Sequence, residues 1–190
     1  MDRWFQRKRR LVVMSLAGVV MAITLLGIDP GATAEEPFNF GRHATEEEIR
    51  AWDLDISPTG EGLPPGVGTV DKGGAVFAAQ CAACHGPTGT EGPADRLIGG
   101  QGTLASSEPV KTIGSYWPYA TTLFDYIRRA MPLTAPQSLT PDEVYSVVAW
   151  LLHQNGIVSK DIRLDAAMLP TIRMPNRDGF LPDPRPDVRP

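Results

Sequence analysis

The feature that most constrains this chain is the stretch Cys81-Ala82-Ala83-Cys84-His85, which contains both of its cysteines. Cys-x-x-Cys-His is the attachment signature of a c-type haem. Two thiols at this spacing add across the two vinyl groups of one haem, and the histidine that follows is placed to bind the iron. The stretch predicts one covalently bound haem c, with Cys81 and Cys84 as attachment residues and His85 as the proximal ligand.

Other interpretations of the cysteine pair have less support. A dithiol redox motif belongs in a thioredoxin-type alternation of strands and helices, which does not surround this pair. A zinc site needs two more ligands at matching spacing, and His43 and His153 are far away in sequence. A structural disulfide would leave His85 without a role. A haem-free thiol or zinc module stays open as the alternative from a different class.

The N-terminal residues have the three parts of a secretory signal peptide. Five basic residues within the first ten are followed by a largely apolar run from Leu11 to Ile28, and then by Ala32-Thr33-Ala34. We expect residues 1–34 to be removed, which places the mature chain in the periplasm. The apolar run is close to the length that spans a bilayer, so membrane association is expected only if the signal is retained.

The mature chain is acidic. Removal of residues 1–34 takes five basic and two acidic residues from totals of 18 and 22, which leaves a net charge near −7 with neutral histidines. This balance argues against a nucleic-acid partner. It fits either a partner with a basic docking face or ordinary solubility charge.

Composition divides the mature chain into three parts. Residues 35–69 are rich in turn formers and are expected to form an irregular arm, with one helical turn at residues 46–49. Residues 70–156 carry helical patterns and are the predicted cytochrome domain. Residues 157–190 are rich in proline and are not expected to build a core of their own. This tail is predicted to be either disordered or laid along a partner protein.

The first predicted helix leads into the haem motif. Asp71 is its expected N-cap. Phe77, Cys81 and Cys84 lie at i, i+4 and i+7, so they share one helix face. Phe77 is therefore expected on the side that carries the haem.

A glycine-rich loop, residues 86–102, follows His85 and is expected to wrap an edge of the cofactor. One of its carbonyls is expected to accept a hydrogen bond from the ring N–H of His85 that faces away from the iron. Pro93 is the predicted acceptor.

A second helix is predicted over residues 119–130. Its apolar face includes Leu123 and Ile127. Thr121 and Asp125 are predicted on the opposite, polar face. Because proline disfavours helical geometry at the residue before it, the helix is expected to end at Met131-Pro132.

Met131 is the predicted distal ligand of the iron. Electron-transfer cytochromes commonly use methionine as the second axial ligand, which raises the reduction potential. Met168 and Met174 lie in the proline-rich tail, whereas Met131 lies between two amphipathic helices. Methionine more often fills a core, but no other methionine is so placed.

The last helix has the clearest boundaries. Thr140 is the expected N-cap, Pro141 the first helical residue, Glu143 the partner in a capping box, and Gly156 the stop. His153 is expected to face solvent. The predicted buried stripe consists of Val144, Val147, Val148, Leu151 and Leu152.

This order of elements resembles the class I cytochrome c fold, an all-α fold, here with extended N- and C-terminal arms. Residues 112–139, which include the run Gly114-Ser115-Tyr116-Trp117-Pro118, look like the cytochrome subunit of the Sox-type sulfane dehydrogenase. The arm around Trp52-Asp53 and the tail segment 174–180 look similar to that family too. The resemblance covers nearly all of the mature chain.

In that family the cytochrome pairs with a molybdenum-cofactor subunit that oxidises sulfane sulfur held on a carrier protein. The resemblance implies that Cys81 and Cys84 hold the haem, that His85 and Met131 ligate its iron, and that arm and tail embrace the molybdenum subunit. Better-known members carry a second haem domain, whereas this chain has one Cys-x-x-Cys-His. Its electrons are therefore expected to leave for an external soluble cytochrome.

The leading hypothesis is a periplasmic monohaem electron-transfer subunit of a sulfane sulfur dehydrogenase. No acid, base or nucleophile constellation is evident in the sequence, so the chemistry on sulfur would belong to the partner. Two alternatives remain among the cytochromes, a free-standing electron shuttle and the cytochrome subunit of a sulfite dehydrogenase, besides the haem-free module described above.

Overall fold

The chain is represented by a computed structural model that describes residues 41–184. The predicted signal peptide, residues 1–34, lies outside the described residues. Within 41–184, no helix combines the length and the apolar character needed to cross a bilayer. The elements in chain order are α1 (Glu46–Trp52), β1 (Val67–Thr69), α2 (Val70–Gln80), α3 (Ala82–His85), α4 (Ala120–Ala130), α5 (Pro141–Gln154), β2 (Arg163–Asp165) and a 3-10 turn (Leu169–Thr171).

Helices α2 and α5 form the central contact of the domain. Gly73 permits their close approach, because a Cβ at this position would lie 1.9 Å from the carbonyl oxygen of Ser146. One turn further along α2, the Phe77 ring stacks on Trp150 of α5 with a centroid distance of 4.1 Å. This crossing fixes the C-terminal end of α2, where the haem motif begins.

The predicted boundaries of α5 are confirmed. The Thr140 side chain accepts a hydrogen bond from the Glu143 backbone N–H, the Glu143 carboxylate accepts one from the Thr140 N–H, and Pro141 begins the helix. Gly156 follows the helix end with a φ of +70°. The predicted stripe is buried throughout, and three further residues are buried with it: Tyr145, Ser146 and Ala149. These three are covered because α2, α4 and both strands pack around α5.

The predicted N-cap of α2 is wrong. Thr69 caps this helix, and its hydroxyl accepts a hydrogen bond from the Lys72 N–H at 3.4 Å. Thr69 is also the last residue of β1, and strand pairing holds it in the extended conformation that an N-cap needs. Asp71 falls in the first turn, where its charge favours the positive end of the helix dipole.

Helix α4 starts one residue later than predicted. The polar face predicted for this helix is buried and does not face solvent. Thr121 is 1% exposed and Asp125 is 6% exposed. The N-terminal arm covers this face, and the Thr121 hydroxyl donates a hydrogen bond to the Pro58 carbonyl at 3.3 Å. The Asp125 carboxylate pairs with half-exposed Arg129, one turn later on the same helix. The arm and Arg129 thus provide partners for polar groups on a helix face that is buried.

The C-terminal tail contributes to the domain core, contrary to the prediction. Strand β2 pairs antiparallel with β1, with Leu164 opposite Gly68. Leu164, Leu169 and Met174 are each at most 1% exposed and belong to the same core cluster as the helices. The tail builds no separate core within the described residues. These side chains instead join the core that the helices form.

Part of the N-terminal arm also packs on the domain. Ile56 is buried, and the Tyr145 hydroxyl donates a hydrogen bond to the Pro64 carbonyl at 2.9 Å. Burial, with a further contribution from Asp165, raises the pKa of Tyr145 to about 12, so the hydroxyl stays protonated at neutral pH. Helix α1 is longer than the single turn predicted and buries none of its residues.

Gly73→Ala is expected to lower the free energy of unfolding by about 1–3 kcal/mol, because its methyl group collides with the backbone of α5. Gly74→Ala is the matched control, since its Cβ would meet the Trp150 side chain at 3.2 Å and no backbone. Alanine also favours the helix, so the control is expected within about 1 kcal/mol of wild type. Chemical denaturation of the haem-loaded protein measures both. Equal stability of the two variants would contradict the close crossing.

Hydrogen bonds from the backbone and side chain of Thr140 lower the pKa of Glu143. A lowered pKa in the folded state gives stability that is present above the ordinary pKa and lost as pH falls through the folded value. Glu143→Gln is therefore expected to cost about 0.5 kcal/mol at neutral pH and nothing in acid. Thermal unfolding across pH measures the difference. Glu108→Gln, the same change in an exposed loop, is the control for the loss of a surface charge.

Candidate haem site

The Cys-x-x-Cys-His motif begins directly after α2, and its last four residues form α3. The Cys81 N–H donates to the Phe77 carbonyl at 2.9 Å, which continues the hydrogen bonds of α2, and the His85 N–H donates to the Cys81 carbonyl at 3.0 Å. Both cysteines are free thiols; Cys81 packs half-buried against the core and Cys84 is exposed. The motif is thus anchored on one side by the contact of α2 with α5.

The environment of Cys81 disfavours a charged sulfur. Burial raises the pKa of the Cys81 thiol to about 11, and the neighbouring Cys84 adds to the rise. A thioether to a haem vinyl group carries no charge, so a half-buried position against the apolar core suits the attached product.

His85 has a defined tautomer. Its Nδ1 lies 2.9 Å from the backbone carbonyl oxygen of Asp95. A carbonyl only accepts, so Nδ1 carries the hydrogen and Nε2 keeps a free lone pair. A metal-binding histidine typically donates its other ring N–H in this way, which orients the ring and tunes its basicity. Two free thiols and an imidazole with a free Nε2 form a donor set that fits haem c.

The predicted acceptor for His85 is wrong by two residues, since Asp95 rather than Pro93 provides the carbonyl. The loop returns to the motif at Gly92, where a Cβ would lie 1.9 Å from the Cys84 carbonyl oxygen. The Ala94 N–H then donates to that same carbonyl at 2.9 Å. This contact ties residue 94 to the motif and leaves the carbonyl of the next residue to face His85.

Met131 lies at the C-terminal end of α4. Its φ of −123° and ψ of 147° are extended, as the following proline predicts. The side chain is half-buried against the core. Met174 is enclosed by the core near the opposite end of α4, because the adjacent Arg173 bridges to Tyr119. Met168 is 44% exposed in the tail. The role of Met131 as distal ligand stays a prediction.

The other two histidines lie far from the motif in sequence. His43 is exposed in the N-terminal arm. His153 is half-buried rather than facing solvent, and its Nδ1 lies 3.1 Å from the Val158 carbonyl oxygen. The turn after α5 therefore folds back over the His153 ring.

A polar network that the sequence did not predict holds the loop between α3 and α4. The Asn155 side chain donates to the Leu97 carbonyl at 3.3 Å and accepts from the Gly99 N–H at 3.0 Å. The Gln101 amide donates to the Asn155 carbonyl at 3.0 Å. Asn155 stands beside Gly156, so its local sequence indicates only a helix end. Its loop partners lie more than fifty residues away and leave no periodic signal.

The fold and this site define a class I cytochrome c. Cys-x-x-Cys-His follows α2, the first helix of the domain, and a methionine lies in the segment between α4 and α5. Residues 68–151 match the family described as cytochrome C oxidase, cbb3-type, subunit III. That similarity covers the haem motif, α4 and most of α5. A cytochrome c domain implies haem c as the cofactor.

A second comparison is more specific. A chain of the crystal structure of the sulfane dehydrogenase SoxCD from Paracoccus pantotrophus matches with a TM-score of 0.72 and 46% identity, over 78% of this chain and 73% of that chain. Since residues 70–156 are less than half of the sequence, the match extends beyond them. A comparison with curated proteins found no match. The chain belongs to the family of Sox-type cytochrome c subunits, which confirms the resemblance.

Met131→Ala is expected to remove the weak far-red methionine-to-iron band of the oxidised protein and to lower its reduction potential, because a thioether ligand raises that potential. Visible spectra and a redox titration of the haem-loaded chain measure both. Met168→Ala, which changes an exposed methionine of the tail, is the control and should leave both unchanged. An unaltered band in Met131→Ala would assign the sixth position to another residue.

Proposed function

We propose that this chain is a periplasmic monohaem c-type cytochrome and the electron-transfer subunit of a molybdenum-dependent sulfane sulfur dehydrogenase. The observation that carries the proposal is the similarity to a SoxCD chain, which covers 78% of this chain and so extends beyond residues 70–156. An ordinary cytochrome domain would not need to share residues outside that range. The proposed organisation is a signal peptide at 1–34, an arm at 35–69, a cytochrome domain at 70–156 and a tail at 157–190.

The residues of this chain have separate roles in holding the cofactor. Cys81 and Cys84 would attach it covalently, His85 would bind its iron through Nε2, and Met131 would bind it from the other side. When bound, haem c supplies a one-electron iron couple. The Asp95 carbonyl keeps His85 in the ligating tautomer. Cys81 packs half-buried against the core, and the burial of a haem site is one of the factors that set its potential.

The proposed partners are a donor and an acceptor of electrons. A molybdenum-cofactor subunit would carry out the oxidation of sulfane sulfur and deliver electrons to this chain. The 190 residues contain one Cys-x-x-Cys-His, so a soluble cytochrome is the proposed acceptor. The N-terminal segment with its Ala32-Thr33-Ala34 site supports export and a mature chain that begins at Glu35.

The test is co-expression with the molybdenum subunit in a host that matures cytochromes c in the periplasm, followed by purification through a tag on that subunit. We expect this chain to co-purify, with an intact mass that corresponds to residues 35–190 plus one haem, and to be reduced when sulfane substrate is added. The double variant Cys81→Ser/Cys84→Ser controls for attachment and should carry no covalent haem. A wild-type chain that always isolates alone would favour a free-standing shuttle.

A further inference from the structure

The backbone segment that orients His85 lies on the surface of the domain. The His85 Nδ1–H donates a hydrogen bond to the Asp95 carbonyl at 2.9 Å, but residues 94–96 are all exposed. Packing of these side chains therefore does not fix the Asp95 carbonyl. Its position depends on the contacts at the two ends of the segment. One end is held by the bond from the Ala94 N–H to the Cys84 carbonyl.

The other end is held by Asn155, the residue that follows α5. The Asn155 side-chain amide donates to the Leu97 carbonyl at 3.3 Å, which also accepts from the Ile113 N–H at 3.3 Å. Two residues further on, the Gly99 N–H donates to the Asn155 Oδ1 at 3.0 Å. One amide thus binds the loop on both sides of residue 98. This attachment begins only two residues after Asp95.

The surroundings of Asn155 leave its side chain one arrangement. The residue is 8% exposed, and its amide also donates to the Leu151 carbonyl at 2.9 Å. A Cβ at Gly114 would lie 2.2 Å from the Asn155 Oδ1, so the backbone of residue 114 closes the remaining side. An amide has two N–H donors and one carbonyl acceptor, and all three are used here. Neither a carboxylate nor a hydroxyl group could make the same three bonds.

We propose that Asn155 is a positioning residue for the proximal ligand: through residues 95–99 it holds the Asp95 carbonyl on the His85 Nδ1–H and so helps to set the reduction potential of the haem. The inference rests on the proposed role of His85 as an iron ligand and not on the identity of the partner. A firm hydrogen bond at Nδ1 makes the ligating Nε2 more basic. A more basic ligand favours oxidised iron, so a loosened bond raises the potential.

A purely structural role for Asn155 makes a different prediction. The bond from its amide to the Leu151 carbonyl lies at the end of α5 and satisfies a carbonyl of the last helical turn. If the side chain served only this helix end, its loss would lower stability and leave the His85 hydrogen bond unchanged. The bonds to Leu97 and Gly99 are the observation that favours an effect on His85.

The experiment uses the haem-loaded chain with nitrogen-15 label. NMR of the reduced protein measures the rate at which the His85 Nδ1 hydrogen exchanges with water, and a redox titration measures the potential. Asn155→Ala is expected to make this exchange about 3- to 10-fold faster, the effect of removing one hydrogen bond from the support of the loop. The potential is expected to become more positive, since the imidazole becomes a weaker donor.

Gly114→Ala is a second variant that leaves Asn155 itself unchanged. Its methyl group would occupy the position of the Asn155 Oδ1, so the amide must move away from the loop. Both the exchange rate and the potential are expected to change in the same direction as in Asn155→Ala. If Asn155→Ala does not take up haem, Gly114→Ala decides the question by the same two measurements.

Tyr145→Phe is the matched control. It also removes a hydrogen bond from a side chain of α5 to a backbone carbonyl, but that carbonyl belongs to Pro64 in the N-terminal arm. None of the three substitutions changes the charge of the protein at neutral pH, so a shift in potential does not come from a lost or added charge. Tyr145→Phe should keep the wild-type exchange rate and potential even where its thermal midpoint falls.

The wild-type spectrum tests the role of His85 separately. The haem ring current shifts the ring C–H signals of an axial histidine upfield, and the absence of this shift would mean that the proposed role of His85 fails. If the shift is present and both Asn155→Ala and Gly114→Ala keep the wild-type exchange rate and potential, the positioning role is overturned. A lower thermal midpoint as the sole change would assign Asn155 to the helix end. An equal response in Tyr145→Phe would indicate general loosening of the fold, and either result overturns the proposal.

Discussion

The close contact between α2 and α5 is the constraint on which the haem motif depends. Gly73 brings the two helix backbones together, and the stacked pair of Phe77 and Trp150 continues the contact toward the motif. Cys81 extends the hydrogen bonds of α2, so the position of the first thiol follows from this crossing. The second anchor is the return of the loop at Gly92, which presents the Asp95 carbonyl to the imidazole. The orientation of the His85 imidazole is thereby fixed by a contact with the backbone.

Features that depend on neighbours in sequence were predictable. The capping box of α5, its apolar stripe and the extended geometry of Met131 each follow from residues within one or two helical turns. The haem motif itself is five consecutive residues. A local sequence pattern predicts such features because the interacting atoms lie close together along the chain, independently of the rest of the fold.

Features that depend on distant segments were missed for the same reason. Asp125 is buried because the N-terminal arm covers its helix face near Thr121. Leu164 is buried because its strand, β2, pairs with strand β1, which lies far earlier in the chain. Asn155, which follows α5, forms a hydrogen bond with the loop that precedes α4, more than fifty residues earlier in the chain. In each case the segment that covers or binds the residue lies far away in sequence, so only the assembled fold shows the role of that residue.

The pairing of β1 with β2 has a consequence for how this chain is made. Gly68 and Leu164 pair although they are roughly 100 positions apart, and such high contact order slows folding. The core is complete only when Leu164, Leu169 and Met174 are in place. A chain shortened before residue 163 would therefore leave β1 without its partner strand and part of the core that supports Cys81 uncovered.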